Sequence, residues 1–282
     1  MNDGTGDRLA AAFHRPTAPS GKPLAILIHG LTGCEDSTYM LASARHLLTL
    51  GHPVLRLNLR GAGPSRPLCR EQYHAGRSED LRAALAALDP GLCANGIVLV
   101  GYSLGANMML KYLGEEGPAA PAVAAVAVSA PIDLKATQRR VMAPRNALYH
   151  RHILGRMKAD ILAAGEAVEP ALRERATAAE SVYAFDDVFV APRNGFGDAE
   201  TYYRACSAQG FLPDIRVPTL VIHAMNDPWI PNDAYRDFPW RDNPFLRPLL
   251  PAGGGHVGFH GDCGPPAWHD RCIVAFLDGV VG

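Results

Sequence analysis

The stretch that decides the fold is Ile97-Val98-Leu99-Val100-Gly101-Tyr102-Ser103-Leu104-Gly105-Ala106-Asn107-Met108-Met109. It begins with four apolar residues, which predict a buried strand, and it ends in a run typical of a helix. Between them stands Gly-x-Ser-x-Gly, a pattern typical of a sharp turn that lifts a serine hydroxyl clear of a sheet. Small residues on both sides relieve the crowding of the backbone there. The stretch therefore predicts Ser103 as a nucleophile, and an ordinary strand-to-helix turn is the alternative.

The composition fits one large α/β domain. The chain has 282 residues, of which 48% are hydrophobic, and a formal net charge of −1. Because no basic cluster stands out, the sequence argues against a nucleic-acid partner. No apolar run approaches the roughly 18 residues that span a bilayer, and residues 1–8 contain no hydrophobic signal-peptide core. We therefore expect a cytoplasmic protein without an integral membrane segment, and the sequence leaves its oligomeric state open.

Cysteine and histidine spacing predicts neither a metal site nor a cofactor. None of the six cysteines forms a Cys-x-x-Cys pair, so reduced thiols are expected, with a Cys263–Cys272 bridge as the alternative. The 11 histidines include no His-Glu-x-x-His pattern and no Cys/His spacing of a zinc site. We therefore expect chemistry that needs no bound metal or cofactor.

Apolar runs along the chain predict a mostly parallel, twisted sheet flanked by helices. The predicted strands are residues 24–28, 52–58, 97–102, 122–129, 219–223 and 245–250, with one short strand within 8–14. The predicted helices are residues 40–50, 78–88 and 268–276, the second with Ser78 as its N-cap. Strands that alternate with helices across short loops are typical of a right-handed parallel α/β sheet.

The alternation stops after residue 133, and helical spacing takes over. We predict a core of residues 1–133 and 212–282, and a mainly helical lid insertion of residues 134–211. A lid over the carboxyl ends of the strands would lie where open α/β sheets bind ligands. The alternative is an extra packing layer without a gating role. Four apolar residues of the insertion either line an acyl pocket or pack as ordinary core: Tyr149, Ile153, Met157 and Phe189.

A serine hydroxyl is barely ionised at neutral pH, so it needs a base, and the base needs an orienting acid. Two loops in the C-terminal part of the chain carry candidates for the acid and the base. They follow Ser103 in the chain order serine, acid, histidine that is typical of proteins with this kind of turn. Asp227 directly follows a predicted strand, and His256 lies in a glycine-rich loop after the next one. The alternatives left open are Asp133 for the acid and His260 or His269 for the base.

Two backbone N–H groups are expected to stabilise the oxyanion of the transition state. One is that of Leu104, at the N-terminus of the helix after the turn. The other comes from the loop after the first buried strand, with Leu31 as first choice and Thr32 as second. Such a donor lowers the barrier by roughly 3–4 kcal/mol. Structural roles are expected for His29, Arg60, Asp186, Asp187 and His223.

With these residues assembled, the chain resembles the α/β-hydrolase superfamily, and specifically its YheT-like branch. The resemblance covers roughly residues 8–280. The motifs that carry it are His-Gly-Leu-Thr-Gly at 29–33, Asn-Leu-Arg-Gly-Ala-Gly at 58–63, Gly-Tyr-Ser-Leu-Gly at 101–105, Phe-Asp-Asp at 185–187, Gly-Phe-Gly-Asp-Ala at 195–199, Tyr-Tyr-Arg at 202–204, His-Ala-x-Asn-Asp-Pro at 223–228 and Gly-Gly-His-Val-Gly-Phe at 254–259. The motifs at 185–204 are the most specific to the branch.

The resemblance implies a triad at Ser103, Asp227 and His256 that hydrolyses esters, and some relatives act on phospholipid acyl chains. Two departures from the family pattern stand out. Ala106 replaces a second glycine after the turn and narrows the space beneath it. The N-terminal portion is short, so an antiparallel edge strand and a membrane anchor are expected to be missing.

The sequence therefore predicts a serine carboxylic-ester hydrolase for short- to medium-chain acyl esters that works through an acyl-enzyme. An acyltransferase or a phospholipase or lipase of the same fold is the nearest alternative. A non-catalytic, ligand-binding protein of this fold is an alternative from another class. The sequence leaves the physiological ester, its chain length and any movement of the insertion open.

Overall fold

The computed structural model describes residues 1, 3–18, 20–260 and 264–281, and it contains a seven-stranded sheet. The strands are β1 (Ala11–His14), β2 (Leu24–Ile28), β3 (Val54–Leu57), β4 (Ile97–Tyr102), β5 (Ala122–Val128), β6 (Thr219–Ile222) and β7 (Leu246–Leu249). Their order across the sheet is β1-β3-β2-β4-β5-β6-β7, and every neighbouring pair except β1 and β3 is parallel. The predicted mostly parallel sheet is confirmed.

One edge of the sheet is formed by an antiparallel strand. β1 pairs with β3 from Ala11 opposite Leu57 to His14 opposite Val54. The expectation that an antiparallel edge strand is missing is therefore wrong. A strand of four residues that is exposed at both ends carries little periodic signal, so its sequence indicates a strand without fixing its direction.

Helices cover both faces of this sheet. They are α1 (Thr38–Thr49), α2 (Ser78–Ala86), α3 (Leu104–Glu116), α4 (Leu134–Val141), α5 (Ala147–Ala163), α6 (Pro170–Ala178), α7 (Val182–Phe185), α8 (Ala191–Arg193), α9 (Ala199–Cys206), α10 (Asp233–Asp237) and α11 (Trp268–Val281). Side chains alternate along a strand, so Leu99 of β4 packs with α2 and α3, whereas Val98 packs with α1 and α11. β4 is consequently buried on both faces, as its unbroken apolar run predicted.

Six of these helices, α4 to α9, lie between β5 and β6. They form segment 134–211 together with short 3₁₀ turns and a π-helical turn at Asp186–Val190. Every residue of this segment is described, and none of them lies in a strand. Ile153, Met157, Phe185 and Phe189 belong to a hydrophobic cluster of the segment's own. Segment 134–211 is thus built from helices and turns, while its role as a lid stays a prediction.

Ser78 does not cap α2. The N-cap position is held by Arg77, and the Ser78 hydroxyl contacts Glu115 and accepts a hydrogen bond from the Lys111 ammonium at 3.0 Å. The predicted N-cap is therefore wrong. The Ser78 hydroxyl instead interacts with charged side chains of α3, and a local sequence pattern does not show such a contact.

Arg60 is a buried structural cation, as predicted. Its guanidinium is fully buried and donates to Asp80 at 2.6 and 2.9 Å, to Asp7 at 2.8 Å and to Asp3 at 2.6 Å. A buried charge is tolerated only when its partners satisfy it, and here three carboxylates do so. The cluster ties the N-terminal residues to the loop after β3.

The described cysteines are free thiols: Cys34, Cys69, Cys93, Cys206 and Cys272. Cys263 lies outside the described residues, and with it the alternative of a bridge to Cys272. Within the described ranges, no helix combines the length and apolarity that crossing a membrane requires. No group of three or more metal-ligating side chains was found in those same ranges.

His223 follows β6 as a packing residue, in agreement with its predicted role. It is completely buried and stacks on Tyr235 with 3.8 Å between the ring centroids. Within the described part of the chain, neither of its ring nitrogens has a hydrogen-bond partner. Burial consequently lowers the pKa of His223 to about 4, from an ordinary value of 6.5.

This histidine should make the protein sensitive to acid. His223 binds a proton near pH 6.5 in the unfolded chain but only near pH 4 in the folded chain. The contribution of the neutral ring to the free energy of unfolding is therefore complete above pH 6.5 and is lost as the pH falls from 6.5 to 4. At about 1.4 kcal/mol per pKa unit, the loss is about 3 kcal/mol. His223→Phe keeps a ring against Tyr235 but cannot titrate. We expect its melting temperature to drop less than that of the wild type between pH 7 and pH 4.5, and an equal drop would contradict this assignment.

Candidate active site

Ser103 lies on a sharp turn between β4 and α3. Its backbone has φ 50° and ψ −122°, a strained conformation for a residue with a side chain. The glycines on either side stand where no side chain fits. A Cβ at Gly105 would lie 2.3 Å from the carbonyl oxygen of His29, and one at Gly101 would lie 2.6 Å from the Cα of Ala106. Close approach of the backbone therefore explains the Gly-x-Ser-x-Gly pattern.

Gly105→Ala should destabilise the fold, because its methyl group would meet two backbone carbonyls, those of His29 and Ile28. We expect a loss of roughly 1–3 kcal/mol or more in the free energy of unfolding, measured with urea. Gly155→Ala in α5 is the matched control, since nothing lies within 4 Å of a Cβ there. That variant should be neutral or up to about 1 kcal/mol more stable. Equal stability of the two variants would refute the steric explanation.

The structure brings Ser103, His256 and Asp227 into one hydrogen-bonded series. Nε2 of His256 lies 3.0 Å from Oγ of Ser103, and Nδ1 lies 2.8 Å from Oδ2 of Asp227. Because a carboxylate only accepts hydrogen bonds, Nδ1 carries the ring proton, which leaves Nε2 to accept from the serine hydroxyl. This arrangement can take the proton from Ser103 when the oxygen attacks an electrophile.

Asp227 is held in place by the loop after β6. Its Oδ1 accepts the N–H groups of Trp229 at 2.9 Å and of Ile230 at 3.0 Å. Burial raises the pKa of Asp227, but the hydrogen bond and charge of His256 and these two N–H groups outweigh it and lower the pKa overall. The carboxyl group is thus kept ionised although it is almost fully buried.

Three further side chains position His256 and were not singled out from the sequence. Asn226 accepts the N–H of Gly255 at 3.0 Å, and the Ser129 hydroxyl accepts the N–H of Val257 at 3.2 Å. The ring of Trp229 packs against the imidazole with 4.8 Å between centroids. Ser129 is the last residue of the predicted strand 122–129, and Asn226 directly precedes Asp227. A search for polar residues at the ends of the predicted strands could therefore have found both.

The alternatives considered for the acid and the base lie elsewhere. Asp133 is the N-cap of α4, where its Oδ1 accepts the N–H of Ala136 at 2.9 Å. His269 is buried within α11 beside Asp270, and His260 is exposed. Among the described residues, neither histidine makes a hydrogen bond to Ser103.

The loop after β2 presents the N–H of Leu31 rather than that of Thr32. The Thr32 amide donates to the Tyr73 hydroxyl at 2.6 Å, so it is occupied. In the part of the chain that the structure describes, the N–H groups of Leu31 and Leu104 donate to no protein acceptor. Both residues line the same cavity as Ser103. These two N–H groups therefore remain available for an oxyanion.

His29 holds this loop. Its Nδ1 lies 2.8 Å from the carbonyl oxygen of Gly30, and its Nε2 accepts the N–H of Leu59 at 3.0 Å. Burial lowers the pKa of His29 to about 4, so the ring is neutral at pH 7. These contacts agree with the predicted structural role of His29.

A cavity of about 170 Å³ opens onto Ser103 and His256. Most of its wall is apolar and comes from segment 134–211, including Tyr149, Ile153, Met157 and Phe189. Ile153, Met157 and Phe189 also belong to the cluster of that segment, so they both line the cavity and pack as core. Such a wall suits the hydrocarbon part of a ligand.

Segment 134–211 contacts the loop that carries Asp227. Tyr149 of α5 stacks on Trp229 with 3.5 Å between the ring centroids and 8° between the planes. Since Trp229 also packs on His256, the position of α5 is linked to that of the imidazole.

Comparison with known proteins shows the same architecture. The family described as alpha/beta hydrolase fold matches residues 23–262. The YheT protein of Escherichia coli (strain K12), named as an esterase, is 33% identical over 96% of this chain and 82% of its own length. The monoacylglycerol lipase of Saccharomyces cerevisiae is 29% identical over 94% of this chain. This chain covers 62% of that lipase, less than two thirds of its length.

Among solved structures, an esterase from Pyrococcus furiosus has a TM-score of 0.66 with this chain. The match covers 93% of this chain and 83% of that one, at 20% sequence identity. At this identity the likeness shows the fold alone.

Proposed function

The chain belongs to the α/β-hydrolase fold family, and we propose that it is a serine carboxylic-ester hydrolase for short- to medium-chain acyl esters. The family and the named relatives support hydrolysis of esters. The observation that carries the finer proposal is the hydrogen-bonded series of Ser103, His256 and Asp227 at the end of an apolar cavity. The remaining steps follow from the chemistry of these groups.

In the first half of the proposed reaction, Oγ of Ser103 attacks the acyl carbonyl while Nε2 of His256 takes its proton. Asp227 fixes the ring tautomer and stabilises the imidazolium that forms. The N–H groups of Leu31 and Leu104 donate to the oxyanion, whose charge appears only in the transition state and the intermediate. His256 then protonates the departing alcohol, and the acyl group remains on Ser103.

In the second half, water takes the place of the alcohol. His256 removes a proton from the water, which attacks the acyl carbonyl of the ester on Ser103. The same two N–H groups stabilise the second oxyanion. Collapse of that intermediate returns the proton to Oγ of Ser103 and releases a carboxylic acid.

In this proposal, segment 134–211 is the lid that holds the acyl chain away from water. α5 is central to it, since Ile153 and Met157 line the cavity and Tyr149 contacts Trp229 beside the imidazole. An apolar wall above the nucleophile favours acyl groups with several methylene units, because each buried methylene contributes about 0.8 kcal/mol.

The proposal is tested with p-nitrophenyl esters of increasing acyl length. We expect a burst of one nitrophenol per chain before steady turnover where deacylation is slower than acylation. We also expect kcat/KM to rise with chain length and then fall once the cavity is filled. No ester hydrolysis by the folded protein would contradict the proposal and favour a ligand-binding role.

A further inference from the structure

Asp186 is a buried carboxyl group in the wall of the cavity that holds Ser103. It begins the π-helical turn Asp186–Val190 and is 7% exposed. π-helical turns inside helices frequently occur at functional sites. The adjacent Asp187 has a structural task, because it accepts the N–H of Ala199 at 3.0 Å. The proposed mechanism, by contrast, leaves Asp186 without a role.

The hydrogen bonding of Asp186 is incomplete. Its Oδ2 accepts the Tyr203 hydroxyl at 2.7 Å, but among the described residues no donor reaches Oδ1. An ionised carboxylate has about four acceptor positions, so a single donor stabilises the buried charge poorly. Burial accordingly raises the pKa of Asp186 to about 7, against the lowering effect of Tyr203. A donor from a ligand in the cavity would complete its hydrogen bonding.

Tyr202 offers the complementary group. It also lines the cavity, and its hydroxyl oxygen accepts the N–H of Ala75 at 2.9 Å. The hydroxyl proton of Tyr202 has no acceptor within the described ranges. The Tyr202 ring packs on that of Tyr203, whose hydroxyl binds Asp186, with 5.3 Å between the ring centroids. Burial and then the charge of Asp186 raise the pKa of Tyr202, so its hydroxyl stays protonated. A ligand hydroxyl can donate to Asp186 and accept from Tyr202, whereas an anion would be repelled by the carboxylate.

Building on the proposed esterase function, we propose that Asp186 and Tyr202 form a subsite for an uncharged hydroxyl group of the substrate. Phe185, Phe189 and Val190 make the adjacent wall apolar, so the subsite recognises one hydroxyl on an otherwise apolar molecule. An analogue without that hydroxyl leaves the buried polar groups unpaired and binds less well. The substrate class is therefore a neutral ester with a hydroxyl group on its acyl chain or on its alcohol.

The test compares kcat/KM within two pairs of esters. The alcohol side is probed with 2,3-dihydroxypropyl hexanoate against propyl hexanoate, and the acyl side with ethyl 6-hydroxyhexanoate against ethyl hexanoate. For the wild type we expect a roughly ten- to hundredfold preference for the hydroxylated member of at least one pair. Asp186→Leu should lose this preference while it still hydrolyses the unhydroxylated ester. Asp187→Asn, which alters the neighbouring carboxylate, is the matched control and should keep it.

Labelling of Ser103 by a fluorophosphonate verifies that each variant retains a folded site. Asp186→Asn keeps the shape of the side chain, and a partial loss of the preference is expected for it. A wild-type ratio near one in both pairs, or an unchanged ratio in both Asp186 variants, would overturn the subsite and leave the esterase function intact. Failure of the wild type to hydrolyse any of the four esters would instead contradict the esterase function itself.

Discussion

Ser103→Ala is expected to abolish ester hydrolysis, with kcat lowered by roughly 10⁴- to 10⁶-fold. Oγ of Ser103 lies 3.0 Å from Nε2 of His256, and alanine has no atom that can form the acyl-enzyme. The turn itself should persist, because alanine places its Cβ where serine does at the same positive φ. We therefore expect lost turnover of an aryl ester with little change in melting temperature.

Ser20→Ala provides the control for this variant. Ser20 is exposed in the connection before β2, where its hydroxyl contacts the carbonyl oxygen of Gly51. Its replacement should leave kcat unchanged. Hydrolysis by Ser103→Ala at the wild-type rate would rule out Ser103 as the nucleophile.

Asp227→Asn is expected to lower kcat by roughly 10⁴-fold. An asparagine can present its NH₂ group to Nδ1 of His256, which then must accept, so Nε2 carries the proton and faces Ser103 as a donor. The imidazole then cannot take the serine proton. The N–H groups of Trp229 and Ile230 also lose an ionised acceptor, so a moderate fall in melting temperature should accompany the loss.

Asp133→Asn is the matched comparison for that change, since Asp133 is the other acid that the sequence left open. In the structure it caps α4, and asparagine is about as good an N-cap as aspartate. Its kcat should stay near the wild-type value. If Asp133→Asn lost activity while Asp227→Asn kept it, the proposed assignment of the acid would be reversed.

Strand ends explain why so much of the site could be predicted. The carboxyl ends of parallel strands meet at one edge of a sheet, so Ser103 after β4 and Asp227 after β6 must lie near each other. His256 follows β7 by a short loop, and glycines mark that loop in the sequence. The order of apolar runs and polar loops along the chain is therefore enough to predict that these three residues lie together.

The choice between Leu31 and Thr32 could not be made in this way. It depends on the Tyr73 hydroxyl, which comes from a distant loop and occupies the Thr32 amide. The proposed subsite at Asp186 could not be predicted for the same reason, and the sequence indicated only a structural role for this residue. Its partners Tyr202 and Tyr203 lie on α9, and Ala75 lies between β3 and α2. Contacts between distant segments have no signature in a single sequence.

Ala106, the departure from the family pattern after the turn, packs into the core of the protein. The sequence predicts that its methyl group narrows the space beneath the turn. In the structure this methyl group is fully buried in the core cluster that includes Met109 and Leu110. The close approach beneath the turn involves the backbone of Ala106 at Gly101, so glycine is required at position 101 whatever residue stands at 106.

The most direct test of the central claim is to identify the residue that a fluorophosphonate modifies. The wild-type protein is treated with the probe, digested and analysed by mass spectrometry, with Ser103→Ala in parallel. We predict a single phosphonyl adduct on Ser103, and no adduct on the variant. A folded wild-type protein that remains unmodified, or an adduct on a different serine, would contradict the proposal that Ser103 is the nucleophile.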